Sequence, residues 1–129
     1  MASRSDRNII YSFIDAAIED ADRHMTAARE YAFDDGDMDA AIDRCLRVLS
    51  AVREIEENMS ISSDIVSKRK KTSYYRKLDR LHQKFWCLTK DLSRKTRMCY
   101  TEHQKTRVLR MHFLAYSFQP QDGAEAIGG

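Results

Sequence analysis

The sequence predicts an all-α fold, an antiparallel bundle of three or four helices, and three observations carry that expectation. Helix breakers are scarce, with one Pro and four Gly in 129 residues. Residues 37–119 hold neither, whereas strand-rich folds need a turn every ten residues or so and build those turns from Gly, Pro and Asn. Apolar residues recur at intervals of three and four, the period of a helix with one buried face. Charged residues make up 33% of the chain, which suits long helices with solvated outer sides. The length is that of one domain, placed at residues 1–118, with 119–129 read as a disordered tail beginning at Gln119-Pro120.

The first helix is expected from Asp6 to Phe33, where Ile10, Ile14, Ala17, Ala21, Met25, Ala28 and Ala32 form the stripe and Phe13, Ile18 and Tyr31 widen it. Asp34-Asp35-Gly36 should stop it, because Gly accepts the left-handed conformation that closes a helix, and Asp37 can cap the next one. The second helix shows the cleanest pattern: Met38, Ala41, Cys45, Val48, Val52, Ile55 and Met59, broadened by Ile42 and Leu49. The Ser60–Asp64 stretch, whose side chains compete for backbone hydrogen bonds, marks a turn. From Ile65 the period resumes through Tyr75, Leu78, His82, Phe85, Leu88 and Leu92, flanked by Tyr74 and Trp86. Ser93-Arg94-Lys95-Thr96 reads as a third turn, followed by a weaker run of Met98, Cys99, Leu109, Phe113 and Tyr116. Since no Gly or Pro enforces that turn, one bent helix over 65–118 is the alternative. The expected core is Ile14, Ala21, Ile42, Cys45, Leu49, Val52, Leu78, Phe85 and Leu88.

Three cysteines, an odd number lying within helical stretches, point to reduced thiols used as small hydrophobes. The first residues contain no signal-peptide core, and no run of eighteen apolar residues occurs, so the chain is expected in the cytoplasm, or the nucleus if its source is eukaryotic or viral, and not in a membrane.

Catalytic and metal constellations are weak. Asp34, Asp35, Asp37 and Asp39 crowd together, but not in the order of a calcium loop. Cys99 and His103 could share a helix face with Glu102, yet a structural zinc site needs two such pairs. His24 and His112 lack a partner at triad spacing, and no Gly-rich phosphate loop exists. No catalytic residue, cofactor, metal or small-molecule substrate is therefore expected, and the chain is read as a non-enzyme.

Charge is the most informative property. Residues 1–66 carry seven Arg and fifteen acids, 7 − 15 = −8, while residues 67–129 carry fifteen Lys or Arg and five acids, 15 − 5 = +10. The local maximum is Lys68, Arg69, Lys70 and Lys71, followed by Tyr74, Tyr75, Arg76 and Lys77. These eight residues are the candidate site. They suit a partner surface or a nucleic-acid patch in which the cations meet phosphates and the rings stack on bases. They also suit a basic helix lying beside the acidic first half, opposite signs steering the bundle's own pairing.

The segment Ala27-Ala28-Arg29-Glu30 through Asp35-Gly36-Asp37-Met38-Asp39-Ala40-Ala41, with the periodic helix after it, resembles the helical-bundle chaperones of flagellar and type III secretion export over about the first two helices. The resemblance implies binding of an amphipathic helical segment of an export substrate through exposed apolar faces, without catalysis. The expected function is accordingly a non-enzymatic protein-binding module, chaperone or adaptor, that takes a helical partner or associates with itself; nucleic-acid binding by the basic third helix is the alternative.

Overall fold

The computed structural model describes residues 4–98 and 100–116, and its regular elements are all helical. Helix α1 (Arg4–Arg29) runs into one π-helical turn (Glu30–Asp34), in which the Asp35 N–H reaches back to the Glu30 carbonyl at 3.0 Å. Gly36 then takes φ of 67° and the Asp37 N–H donates to the Tyr31 carbonyl at 2.7 Å. The Asp37 carboxylate accepts from the Ala40 N–H at 3.1 Å and caps α2 (Met38–Ile61). The expected stop and restart of the chain are both present.

Of the nine expected core residues, eight are buried, and Leu49 is half-buried against the core edge. Burial pushes the Cys45 thiol up to about 12, so it stays protonated and packs as a small hydrophobe.

Helix α3 (Lys68–Lys95) begins three residues later than Ile65, because Ser67 caps it by accepting from the Lys70 N–H at 3.2 Å. Its phase also differs from the expected stripe. The buried side is Tyr74, Leu78, Leu81, Phe85, Leu88 and Leu92, whereas Tyr75 is exposed and His82 only half-buried. The two apolar series share Leu78, Phe85, Leu88 and Leu92 and differ by one residue at the other two positions; the one that steps 4-3-4-3-4 packs better than the one interrupted by an imidazole.

The single bent helix over 65–118 does not form. Helix α3 continues through Ser93, Arg94 and Lys95, the chain turns after Thr96, and α4 (Glu102–Ala115) starts afresh. A capping box enforces the restart: Thr101 Oγ1 accepts from the Gln104 N–H at 3.1 Å, and Gln104 Oε1 accepts from the Thr101 N–H at 3.2 Å. Helix α4 buries Val108, Met111 and Ala115 and leaves the expected Leu109, Phe113 and Tyr116 outside.

Consecutive helices run antiparallel, while α1 and α3 lie side by side in the same direction. Lys84 meets Asp22 at 3.0 Å and Asp91 meets Arg29 at 3.0 Å, both at a sequence offset of 62, and Tyr74 meets the Tyr11 backbone at an offset of 63. Helix α4 packs back on the C-terminal half of α3, with Thr89 and Trp86 against His112 and Tyr116. The four helices thus form a bundle with α1 and α4 at diagonal corners. Among the described residues no helix is long and apolar enough to cross a membrane. The expected tail, 119–129, lies outside the described residues.

The α1–α2 turn supplies a direct test. A side chain at Gly36 would meet no neighbour within 4 Å, so Gly36→Ala carries only the left-handed backbone penalty, about 1–2 kcal/mol. Gly36→Asn, which tolerates that conformation, should lose much less, and equal urea midpoints for the Ala variant and the parent would contradict this account.

Candidate functional site

The eight candidate residues occupy the first two and a half turns of α3, and the helix divides them. Residues seven apart share a face, so Lys70 and Lys77 turn toward α1, as does Lys84 beyond them. There they line an open groove of about 430 Å³ with Asp15, Glu19 and Asp22. The Lys70 ammonium sits 5.0 Å from the Tyr11 ring centre and 5.5 Å from that of Tyr74, and Lys77 lies 5.9 Å from the Tyr74 ring. These two lysines are half of a charge ladder between helices of opposite sign.

Tyr74 is not a stacking platform. Its side chain is 1% exposed. Its hydroxyl donates to the Tyr11 carbonyl at 3.4 Å, and burial, with Asp15 adding to it, holds the phenol protonated well above its ordinary range. The Tyr11 hydroxyl, in turn, accepts from the Ser67 N–H at 3.2 Å, which lowers its own pKa. Tyr11 and Tyr74, rings 6.1 Å apart, therefore tie the start of α3 to α1.

Lys68, Arg69 and Arg76 point into solvent, as does Tyr75 at 53% exposure. Among the described residues none of these cations forms an ion pair. Lys68 to Lys71 also stand in the first turn of a helix that has no acid there, at the positive end of its dipole. Each like charge at that end is unfavourable by some tenths of a kcal/mol to about 1 kcal/mol. The candidate residues thus split into Lys70, Tyr74 and Lys77, which serve the fold, and Lys68, Arg69, Tyr75 and Arg76, which face solvent, with Lys71 half-buried.

A second surface is formed by residues that the sequence offers only as a weak periodic run, Leu109 and Phe113. On the outer side of α4, Leu109 is 54% and Phe113 77% exposed. One turn apart, they line a shallow groove with Glu102, Lys105, Thr106 and Arg110. The available signal was the series Val108, Met111 and Ala115 at helical spacing, which fills the buried side.

Among the described residues no three His, Cys, Asp or Glu side chains converge to hold a metal ion; Cys99 is outside that set. Asp37 is engaged as a helix cap, and Asp39 accepts from Gln104 Nε2 at 3.3 Å. No family model matches the chain, and no curated protein or solved structure matches it.

Three histidines hold structural contacts. His112 Nδ1 lies 2.8 Å from Thr89 Oγ1, and its ring stacks on Trp86 at 4.4 Å. His24 Nδ1 faces the Arg44 guanidinium at 3.1 Å, and His82 sits 3.8 Å from Glu56. Burial lowers the pKa of all three, helped by Arg44 at His24 and Lys90 at His112, and opposed by Glu56 at His82. A folded-state pKa below the unfolded value of 6.5 means that the unfolded chain takes up protons first. Stability is therefore full above pH 6.5 and falls as pH drops through the lowered folded values. Melting temperature should decline from pH 7 to pH 5, and His112→Asn, which keeps a donor toward Thr89 without titrating, should flatten that decline. An unchanged slope in the variant would remove His112 from the account.

Proposed function

We propose that this protein is a non-enzymatic helical binding module, a chaperone or adaptor that takes an amphipathic helical segment against the outer face of α4. The observation that carries this reading is the distribution of apolar residues on α4, which buries Val108, Met111 and Ala115 and presents Leu109 and Phe113 to solvent. A polar residue at either exposed position would meet the same steric demand of the bundle, so the apolar character of Leu109 and Phe113 serves something other than the core. Two apolar anchors one turn apart, flanked by charge, are the geometry with which a groove receives the i, i+3, i+4 residues of a partner helix.

The rim sets the partner's chemistry. Lys105 and Arg110 border the groove, and Glu102 is drawn toward Lys105 at 3.4 Å. The surface accordingly suits a helix whose apolar seam is bordered by Asp or Glu. An export substrate held before secretion, the role implied by the resemblance of the first two helices to export chaperones, is one partner of this kind; a second copy of the chain is another.

The reading is checked with two synthetic amphipathic helical peptides that share a leucine seam but differ in flank, one Glu-rich and one Lys-rich. Anisotropy should show binding of the Glu-flanked peptide and at least about tenfold weakening in Leu109→Ser/Phe113→Ser, with the melting temperature retained. Sedimentation of the parent and the double variant reports self-association through the same face. The proposal fails if the double variant binds like the parent, or if neither peptide binds and the parent sediments as a monomer.

A further inference from the structure

The face of α3 opposite the core is cationic from one end of the helix to the other, well beyond the Lys68–Lys77 run. Arg69, Arg76, Arg80, Lys90 and Arg94 are all exposed. At about 100° per residue they fall within a sector of roughly 80°, and that sector is centred opposite the buried series Tyr74 to Leu92. Arg69 to Arg94 spans twenty-five residue steps, about 37 Å of straight helix. The acid nearest this sector in its C-terminal half, Asp91, is already held by Arg29 at 3.0 Å. Asp79 lies at its edge, and Arg80, on the α1 side of the sector, also borders the groove with Asp15, Glu19 and Asp22 without pairing with them. Among the described residues none of the five cations is in an ion pair.

Solvation alone does not account for such a face. Exposed sides elsewhere in the bundle mix their signs, as in the Asp43–Arg47 pair of α2 and the Asp20–Arg23 pair of α1. Here Arg76 and Arg80, and again Lys90 and Arg94, are like charges four apart, each pair unfavourable by about 0.2–0.5 kcal/mol. Only Arg94, in the last turn, gains from the helix dipole. An external polyanion would offset what the fold leaves uncompensated.

We infer that this face binds the phosphate backbone of a nucleic-acid duplex without reading its sequence. Arginine, four of the five, offers a planar fork that pairs with phosphate oxygens at two points. A duplex presents negative charge continuously, about one per 1.7 Å, which a straight, single-sign, 37 Å row can follow along its length. The apolar side of α3 is consumed by the core, so this face has nothing to insert into a lipid surface. Single-strand recognition needs exposed rings for the bases, but Tyr74 is buried, and Tyr75 lies toward the α4 flank, outside the sector. The inference is independent of the α4 groove, since neither Leu109 nor Phe113 belongs to α3.

The test is a salt titration, by anisotropy, of binding to a labelled mixed-sequence DNA duplex of about 24 base pairs. Five phosphate contacts predict a slope of log affinity against log salt of about −4.5. Arg76→Gln/Arg80→Gln/Lys90→Gln should reduce that slope by about 3 and weaken binding at least about tenfold at low salt. Removal of the like-charge pairs should leave the variant melting at or above the parent. Lys105→Gln/Arg110→Gln on α4 should leave the slope as it was. Any of four results overturns the inference: no duplex binding at about 20 mM salt, an unchanged slope in the triple variant, tighter binding of a single strand than of the duplex, or binding of phosphatidylserine vesicles in place of DNA.

Discussion

Tyr74 fixes the rotation of α3 about its own axis, and the remaining surfaces follow from that rotation. A phenol buried at one end of a helix must find an acceptor for its hydroxyl, and Tyr74 finds it in the Tyr11 carbonyl. With Tyr74 inward, Leu78, Leu81, Phe85, Leu88 and Leu92 follow at helical spacing and close the core. A rotation of one residue would bring Tyr75 and His82 inward and ask the core to accept a second polar ring. It would also swing Lys70 and Lys77 away from the acids of α1.

Once that phase is set, α3 presents four sides, each with a distinct use. One faces the core. The next, marked by Lys70, Lys77 and Lys84, faces Asp15, Glu19 and Asp22 across an open groove. Helix α4 covers part of the side that carries Trp86 and Thr89. At fourteen residues against twenty-eight, α4 reaches only about half the length of α3, which is why Tyr75, on the same flank but eleven residues before Trp86, stays in solvent. The fourth side carries the arginines. The surplus of positive charge counted from sequence is therefore unevenly spent, the inward row facing the acids of α1 and the outward row, among the described residues, held in no ion pair.

The parts legible in the sequence were those where a single local rule acts alone. The α1–α2 hairpin was readable because Gly36 and Asp37 combine a left-handed closure with a cap, and the stripe on α2 has no competing series. The α3–α4 turn was read a few residues early, at Ser93-Arg94-Lys95-Thr96, because no Gly or Pro marks it. The signal lay in Thr101 and Gln104, three apart, whose reciprocal capping becomes recognisable once the next apolar residue is taken to be Val108 rather than Leu109. The candidate site was half legible for a related reason. Charge density located the start of α3, but not the phase that turns Lys70 and Lys77 inward, Tyr74 into the core, and Arg80, Lys90 and Arg94 into line with Arg69 and Arg76.

Helix α4 shows the same ambiguity with a different outcome. Its apolar residues surround much of the axis, so no stripe could be chosen from sequence with the certainty that α2 allowed. Packing decides by volume: the buried side of α4 admits Val108, Met111 and Ala115, and a Phe at a position filled by Val or Ala would overfill it at a cost of about 1–3 kcal/mol. Exclusion of Phe113 from that side accounts for why it is outside, but not for why it is Phe. A polar residue there would satisfy the same steric demand and remove an exposed ring beside Leu109. The apolar choice at a position where packing does not require one is what separates the outer face of α4 from an ordinary solvated surface.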